Sequence, residues 1–242
     1  MNQPINTENI SPDTIREGTI DIFPMLLGTA PFGIVFGAFA LEMELGVSGG
    51  QGLSAFVFAG SSQFVGANLY GQGASLLIIF ITTFLINLRH ALYGAALAPK
   101  LSQIQPRERL LMSFFITDEA FAIVSRFNII RSRYFWGAAL GMYVNWQVWT
   151  FIGLLSGGYL KEYLSLNLGF FLVPAFIAII IPQIKTKSSI LCVAVAAGLS
   201  LILSNLPHQS GFIIAAILAI IVTLLFEHVF PAGANQMDNS ES

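Results

Sequence analysis

The sequence predicts an all-α fold: a polytopic membrane helical bundle with broken or re-entrant helices, built from about six to eight hydrophobic segments. Three observations predict it. Of 242 residues, 55% are hydrophobic and only 10% are charged, against about 25% charged in a typical soluble domain. No charged side chain occurs in 45–88, 134–160, 163–184 or 188–226, and a bilayer-spanning helix needs roughly 20 such residues. These runs are continuously apolar, without the period-two alternation of an outer-membrane barrel strand.

Composition excludes other classes too. The formal net charge is -2 and the basic residues form no stripe, which argues against a nucleic-acid binder. A single cysteine, Cys192, lies in an apolar run, so neither a disulfide framework nor a Cys-based metal site is expected. No histidine has a partner at metal-ligand spacing, and no metal or cofactor is expected. Residues 1–18 read as a polar tail, because they lack the basic start and small-residue cleavage site of a signal peptide. Residues 19–230 read as one transmembrane domain and 231–242 as a second polar tail.

The segments follow in order. The first, 19–41, crowds Pro24, Gly28, Pro31, Gly33 and Gly37 into one span. Pro31 removes a backbone donor and clashes with the preceding turn, which predicts a kink or break at 28–31. The second, 52–70, holds Ser61, Ser62, Gln63 and Asn68 in an uncharged run. Gln63 is too polar to face lipid, so it turns inward, either as a pocket wall or as interhelical glue. In the third, 74–98, helical spacing puts Asn87, His90 and Tyr93 roughly along one face with Arg89 offset from it. Arg89 either snorkels to the interface or holds a carboxylate by a two-point contact.

The fourth segment, 110–125, is short and carries Asp118 and Glu119 at its centre. Adjacent carboxylates there must be paired, protonated or water-exposed. They either cap a helix beside Arg89 or Arg126, or they complement an ammonium group or carry a proton. Thr117 and Asp118 together are also suited to opening a half-helix. Asn145, Trp146 and Gln147 interrupt the fifth segment, 134–160, where packing is at least as good an account as substrate contact. Segments at 166–184, 188–204 and 211–229 complete the set, with His208 in a loop and His228 beside Glu227.

Charge sets the expected orientation. Lys100, Arg107 and Arg109 precede the fourth segment, and Arg126, Arg131 and Arg133 follow it. If that segment crosses, one basic loop violates the positive-inside tendency. A re-entrant fourth segment, matched by a re-entrant second one, puts Arg16, both basic loops, Lys185 and Lys187 on the cytoplasmic side and Lys161 outside. The rival is eight plain crossings. No Walker motif is present, so transport energy would come from a gradient or a partner.

Four stretches now stand in register: 28–37 (GTAPFGIVFG), 58–64 (FAGSSQF), 87–94 (NLRHALYG) and 117–122 (TDEAFA). In order and spacing they resemble the AzlC family, the large subunit of bacterial branched-chain amino-acid exporters. The resemblance covers about 18–230. It implies export of Val, Leu or Ile, and in some members Met, across the bacterial inner membrane. It also implies a small AzlD-like membrane subunit as partner; the oligomeric state stays open. Ser61 and Ser62 stand where many relatives have small residues such as Ala, which leaves room for a different substrate preference.

An amino-acid zwitterion needs a positive end, a negative end and an apolar pocket. Substrate contact is accordingly assigned to Pro31, Phe32, Gly33, Ser61, Ser62, Gln63, Asn87, Arg89, Tyr93 and Asp118. Backbone donors at the break near 28–33 are expected to hold the carboxylate, with Phe36, Phe58 and Phe64 also shaping the pocket. Proton coupling is assigned to Asp118, Glu119 and His90. The alternatives are an exporter of another amino acid or small metabolite, and an intramembrane hydrolase pairing Ser61 or Ser62 with His90 or His208.

Overall fold

The computed structural model describes residues 9–164, 177, 181, 184, 186–203 and 210–229. Nine helices appear among them: α1 (Ile15–Glu42), α2 (Gly46–Phe56), α3 (Gly60–Gly71), α4 (Leu76–Leu97), α5 (Pro106–Phe114), α6 (Asp118–Val124), α7 (Ser132–Leu164), α8 (Lys187–Ile202) and α9 (Ser210–Val229). A short 3-10 turn, Ala98–Leu101, extends α4. The expected all-α bundle with broken helices is what forms. The sixth hydrophobic segment, His208, Lys185 and the tail after 229 lie outside the described residues.

Local signals set the element ends. The Thr14 hydroxyl donates to the Glu17 carboxylate, and its oxygen caps α1 by accepting from the Glu17 backbone N–H. Ser75 caps α4 and Thr186 caps α8 in the same way. Pro106 opens α5, where a missing N–H costs nothing. Residues 9–11, expected as part of a free tail, are tied down instead. Ile10 pairs with Ile129, the Ser11 N–H donates to Ile129 O, and Ser11 Oγ accepts from the Arg131 N–H.

The spine of the molecule is α1 against α7. The two run parallel: Gly18 packs on Tyr134, Gly33 on Trp149 and Gly37 on Thr150 and Leu154. In lipid no hydrophobic gain drives helices together, so association relies on close packing between small residues and on hydrogen bonds. Both are present here. Asn145 Nδ2 donates to Leu26 O and Thr29 Oγ1, and the Thr19 hydroxyl donates to Gly137 O.

Of the kink or break expected at 28–31, the break does not form: α1 runs as one helix through Pro24 and Pro31. A proline in a helix interior removes one hydrogen bond and crowds the carbonyl four residues before it, but the polar contacts of Thr29 and Asn145 nearby and the continuous seam with α7 keep the helix in one piece. The breaks fall elsewhere. The second segment divides into α2 and α3 at 57–59, with Phe58 at φ 45°. The fourth divides into α5 and α6 at 115–117.

Each divided segment returns to the end it started from. Gly71, closing α3, packs on Met43 just ahead of α2. At the other end, Lys100 Nζ donates to Ser125 O, and the Ile130 N–H donates to Lys100 O. The two basic loops are therefore neighbours, and segments two and four form opposed hairpins whose tips point inward. Helices Ile15–Glu42 and Leu76–Leu101 are long and apolar enough to cross a membrane. Along α4, Leu76, Leu77, Phe80, Phe84, Leu88 and Leu92 stand exposed, an apolar stripe suited to lipid.

Candidate functional site

The two hairpin tips meet beside α4 and enclose a cavity of about 400 Å³, within the usual range for small-molecule sites. Arg89 lies near the middle of the 26-residue span Leu76–Leu101. At 1.5 Å per residue that places it roughly 18–20 Å from either end of the span. That is farther from either end of the helix than an arginine side chain reaches. Instead it bridges the two tips: Nη1 pairs with Asp118 Oδ2 at 2.9 Å and Nη2 donates to Ser61 Oγ at 2.8 Å.

Helix starts shape both sides of this bridge. At the first tip, α3 opens at Gly60 with no side-chain cap, and Gly60 and Ser61 both line the cavity. At the second, Thr117 caps α6 by accepting from the Ala120 N–H, setting Asp118 and Glu119 in its first turn. Carboxylates favour a helix start because the backbone N–H groups there are unpaired and carry partial positive charge. The Tyr93 hydroxyl donates to Asp118 Oδ1 at 2.5 Å, and its ring stacks on Phe121 with centroids 4.5 Å apart. Arg89 and Asp118 remain 22% and 35% exposed, so both charges can be reached from the cavity.

Much of the remaining lining is apolar. Met25 and Phe32 come from α1, Phe58 and Phe64 from the first hairpin, and Met142 and Trp146 from one face of α7. Phe58 fixes the meeting of the tips, with its ring 6.2 Å from Phe114, 6.5 Å from Phe115 and 4.8 Å from Tyr143. Its left-handed backbone is uncommon for a bulky residue and marks strain held in place by this packing.

Of the residues expected from the sequence, Phe32, Ser61, Arg89, His90, Asp118 and Glu119 line the cavity together. Tyr93 reaches it through Asp118, and the His90 ring sits 5.9 Å from that of Tyr93. Others lie off the lining. Pro31 is exposed on α1, while Gly33 is pressed against Trp149. The Ser62 hydroxyl donates to Ala59 O, and Gln63 Oε1 accepts from Trp146 Nε1. Asn87 Oδ1 is buried with no partner among the described residues. The ring of Phe36 belongs to the core, edge-on to Phe64.

Sequence reasoning missed Met25, Thr29, Gly60, Thr117 and Met142 as lining residues. Met142 stands four residues before Trp146 in the uncharged run 134–160, and only the packing of α7 tells which face turns inward. Arg126, considered as a partner for the carboxylates, pairs instead with Asp21 on α1, where Tyr134 joins them.

Residues 24–160, more than half of the chain, match the family described as AzlC protein. The chain is 30% identical over 223 residues to the protein of Escherichia coli (strain K12) named Inner membrane protein YgaZ, covering 86% of this chain and 90% of that one. It is 34% identical over 208 residues to an uncharacterized membrane protein of Archaeoglobus fulgidus, covering 84% and 91%. It is 28% identical over 206 residues to the protein of Bacillus subtilis (strain 168) named Branched-chain amino acid transport protein AzlC, covering 83% and 80%. No solved structure matches it.

Proposed function

This chain is a membrane protein of the AzlC family, and from that premise we propose that it exports branched-chain amino acids, Val, Leu and Ile with Met as a further substrate, across the bacterial inner membrane. The observation that carries the proposal is the pairing, in one central cavity, of an apolar wall with the Arg89–Asp118 ion pair. An aliphatic amino acid presents the same two kinds of surface. The name of the Bacillus subtilis relative supports the same substrate class.

In the proposed mechanism the substrate carboxylate takes the guanidinium of Arg89 beside the open start of α3. The ammonium group takes Asp118, and Glu119 and His90 stand ready to carry a coupling proton. Breaking a buried ion pair by removing one partner is strongly unfavourable. A zwitterion avoids that cost because it supplies a new partner to each charge as it separates them. Helices α1, α4 and α7 cross the membrane, and the two hairpins enter from opposite sides. Rocking either hairpin away from the bridge would open the cavity to one side at a time. A small AzlD-like membrane subunit completes the transporter.

The test is efflux of Val, Leu, Ile and Met from cells lacking their own exporters and preloaded with the matching dipeptides. The chain is supplied with and without an AzlD-like partner. Faster efflux is expected, and no efflux with both subunits in the membrane would overturn the proposal. Arg89→Lys, Asp118→Asn and Glu119→Gln should each slow efflux in folded protein. Wild-type rates in all three would sink the site assignment alone.

A further inference from the structure

We infer that Trp146 sets the upper size limit for the substrate side chain and that Gln63 is the positioning residue that holds it in place. The inference rests on the transport function proposed above. Trp146 lines the cavity yet is only 6% exposed, so a small part of the indole meets the space and the rest is clamped. Three contacts do the clamping. Nε1 donates to Gln63 Oε1 at 3.1 Å. The Phe36 ring stacks on it with centroids 6.4 Å apart and an interplanar angle of 21°. Its far edge rests on Gly60, where an added Cβ would stand 3.2 and 3.4 Å from two indole carbons.

A rigid plane held by a hydrogen bond, a stacked ring and a backbone contact cannot swing aside for a larger ligand. Met25 and Met142 line the same cavity with flexible thioether chains that adapt to shape. The soft walls thus absorb differences among Val, Leu, Ile and Met, and the rigid wall decides which larger groups are refused.

Gln63 carries the second half of the inference. It is fully buried, and its Nε2 finds no partner among the described residues. An unsatisfied buried donor costs stability, so folding alone does not account for an amide here. Its oxygen on the indole N–H does. The residue that the sequence offered as a pocket wall or as interhelical glue joins α3 to α7 and acts through the wall.

The experiment is competitive efflux of Leu, Val and Phe by the chain with its small subunit. Trp146→Phe, which shortens the wall and removes its N–H, should raise the Phe-to-Leu ratio by about tenfold, as expected for resizing an apolar pocket. Gln63→Met keeps the volume, loses the acceptor and should shift the ratio the same way by a smaller factor. Gln63→Glu keeps an acceptor oxygen and should hold the wild-type ratio. Gly60→Ala adds a methyl group where indole and cavity meet and should move selectivity the opposite way, toward Val over Leu. A ratio is insensitive to how much protein reaches the membrane, and opposite shifts from neighbouring residues cannot arise from poor folding. Leu efflux with ratios unmoved in Trp146→Phe and Gln63→Met overturns the inference and leaves the transport proposal intact. Absence of Leu efflux from the wild type overturns the transport proposal itself, and the inference with it.

Discussion

Arg89 divides its guanidinium between a carboxylate on one hairpin and a hydroxyl on the other. A lysine ammonium cannot present two fixed donors in that geometry, which is why the site needs arginine at a depth where a lone charge is costly. Ser61 is the weaker of the two acceptors and can be removed without unpairing the charge. Ser61→Ala should weaken substrate retention by about tenfold, the equivalent of one hydrogen bond to a charged group at ~1.4 kcal/mol. The half-saturation concentration for efflux in folded protein measures this, and an unchanged value would show that the hydroxyl contributes nothing. At this scale the sequence singled out Ser61, Arg89 and Asp118 but left their pairing open. Asp118 was equally compatible with Arg89 or Arg126, and what separates them is that Arg126 is taken by Asp21 and Tyr134.

Between α1 and α7 the decisive groups are backbone atoms, not side chains. A Cβ on Gly37 would stand 2.2 Å from Thr150 O and 2.6 Å from Leu154 N, so no rotamer can relieve it. Gly28, nine residues earlier on the same helix, has no atom within 4 Å of that position. Gly37→Ala should therefore destabilise the protein by about 1–3 kcal/mol through overpacking. Gly28→Ala should stabilise it by about 0.5–1 kcal/mol, because alanine loses less backbone entropy in a helix. Unfolding midpoints in detergent would compare the two, and equal shifts would mean the α1–α7 seam is looser than described. The same seam accounts for Pro31 leaving α1 in one piece. A proline's intrinsic tendency to break a helix is a local effect, and here continuous packing along α7 outweighs it.

The molecule as a whole is organised by two hairpins that enter from opposite ends and meet at one ion pair. If α1, α4 and α7 cross while the hairpins do not, loops 102–105 and 126–128 share one side of the membrane. In a Cys192→Ser background, Ser102→Cys and Asn128→Cys should react with an impermeant thiol reagent from the same side, and Gln72→Cys from the opposite side. Labelling of Ser102→Cys and Asn128→Cys from opposite sides would restore the topology of eight plain crossings. The charge pattern had favoured the hairpin arrangement, because two basic loops flanking one short segment are both accommodated only if that segment turns back.

From the residues alone it follows that this is a helical membrane protein, that segments two and four are exceptional, and that Arg89, Asp118 and Glu119 sit where charge requires a reason. Those conclusions follow from the cost of placing polar groups in a bilayer, which is written into composition and spacing. Where the helices break, which charges pair and which faces line the cavity follow instead from long-range packing. Ser62 and Gln63 show why: both are polar residues in the same turn as Ser61, and both point away from the cavity. Which of three neighbouring residues faces a pocket depends on the rotation of α3 about its axis. That rotation is set by packing on α1 and α4 and by the hydrogen bond between Gln63 and Trp146 of α7, 83 residues away in the chain.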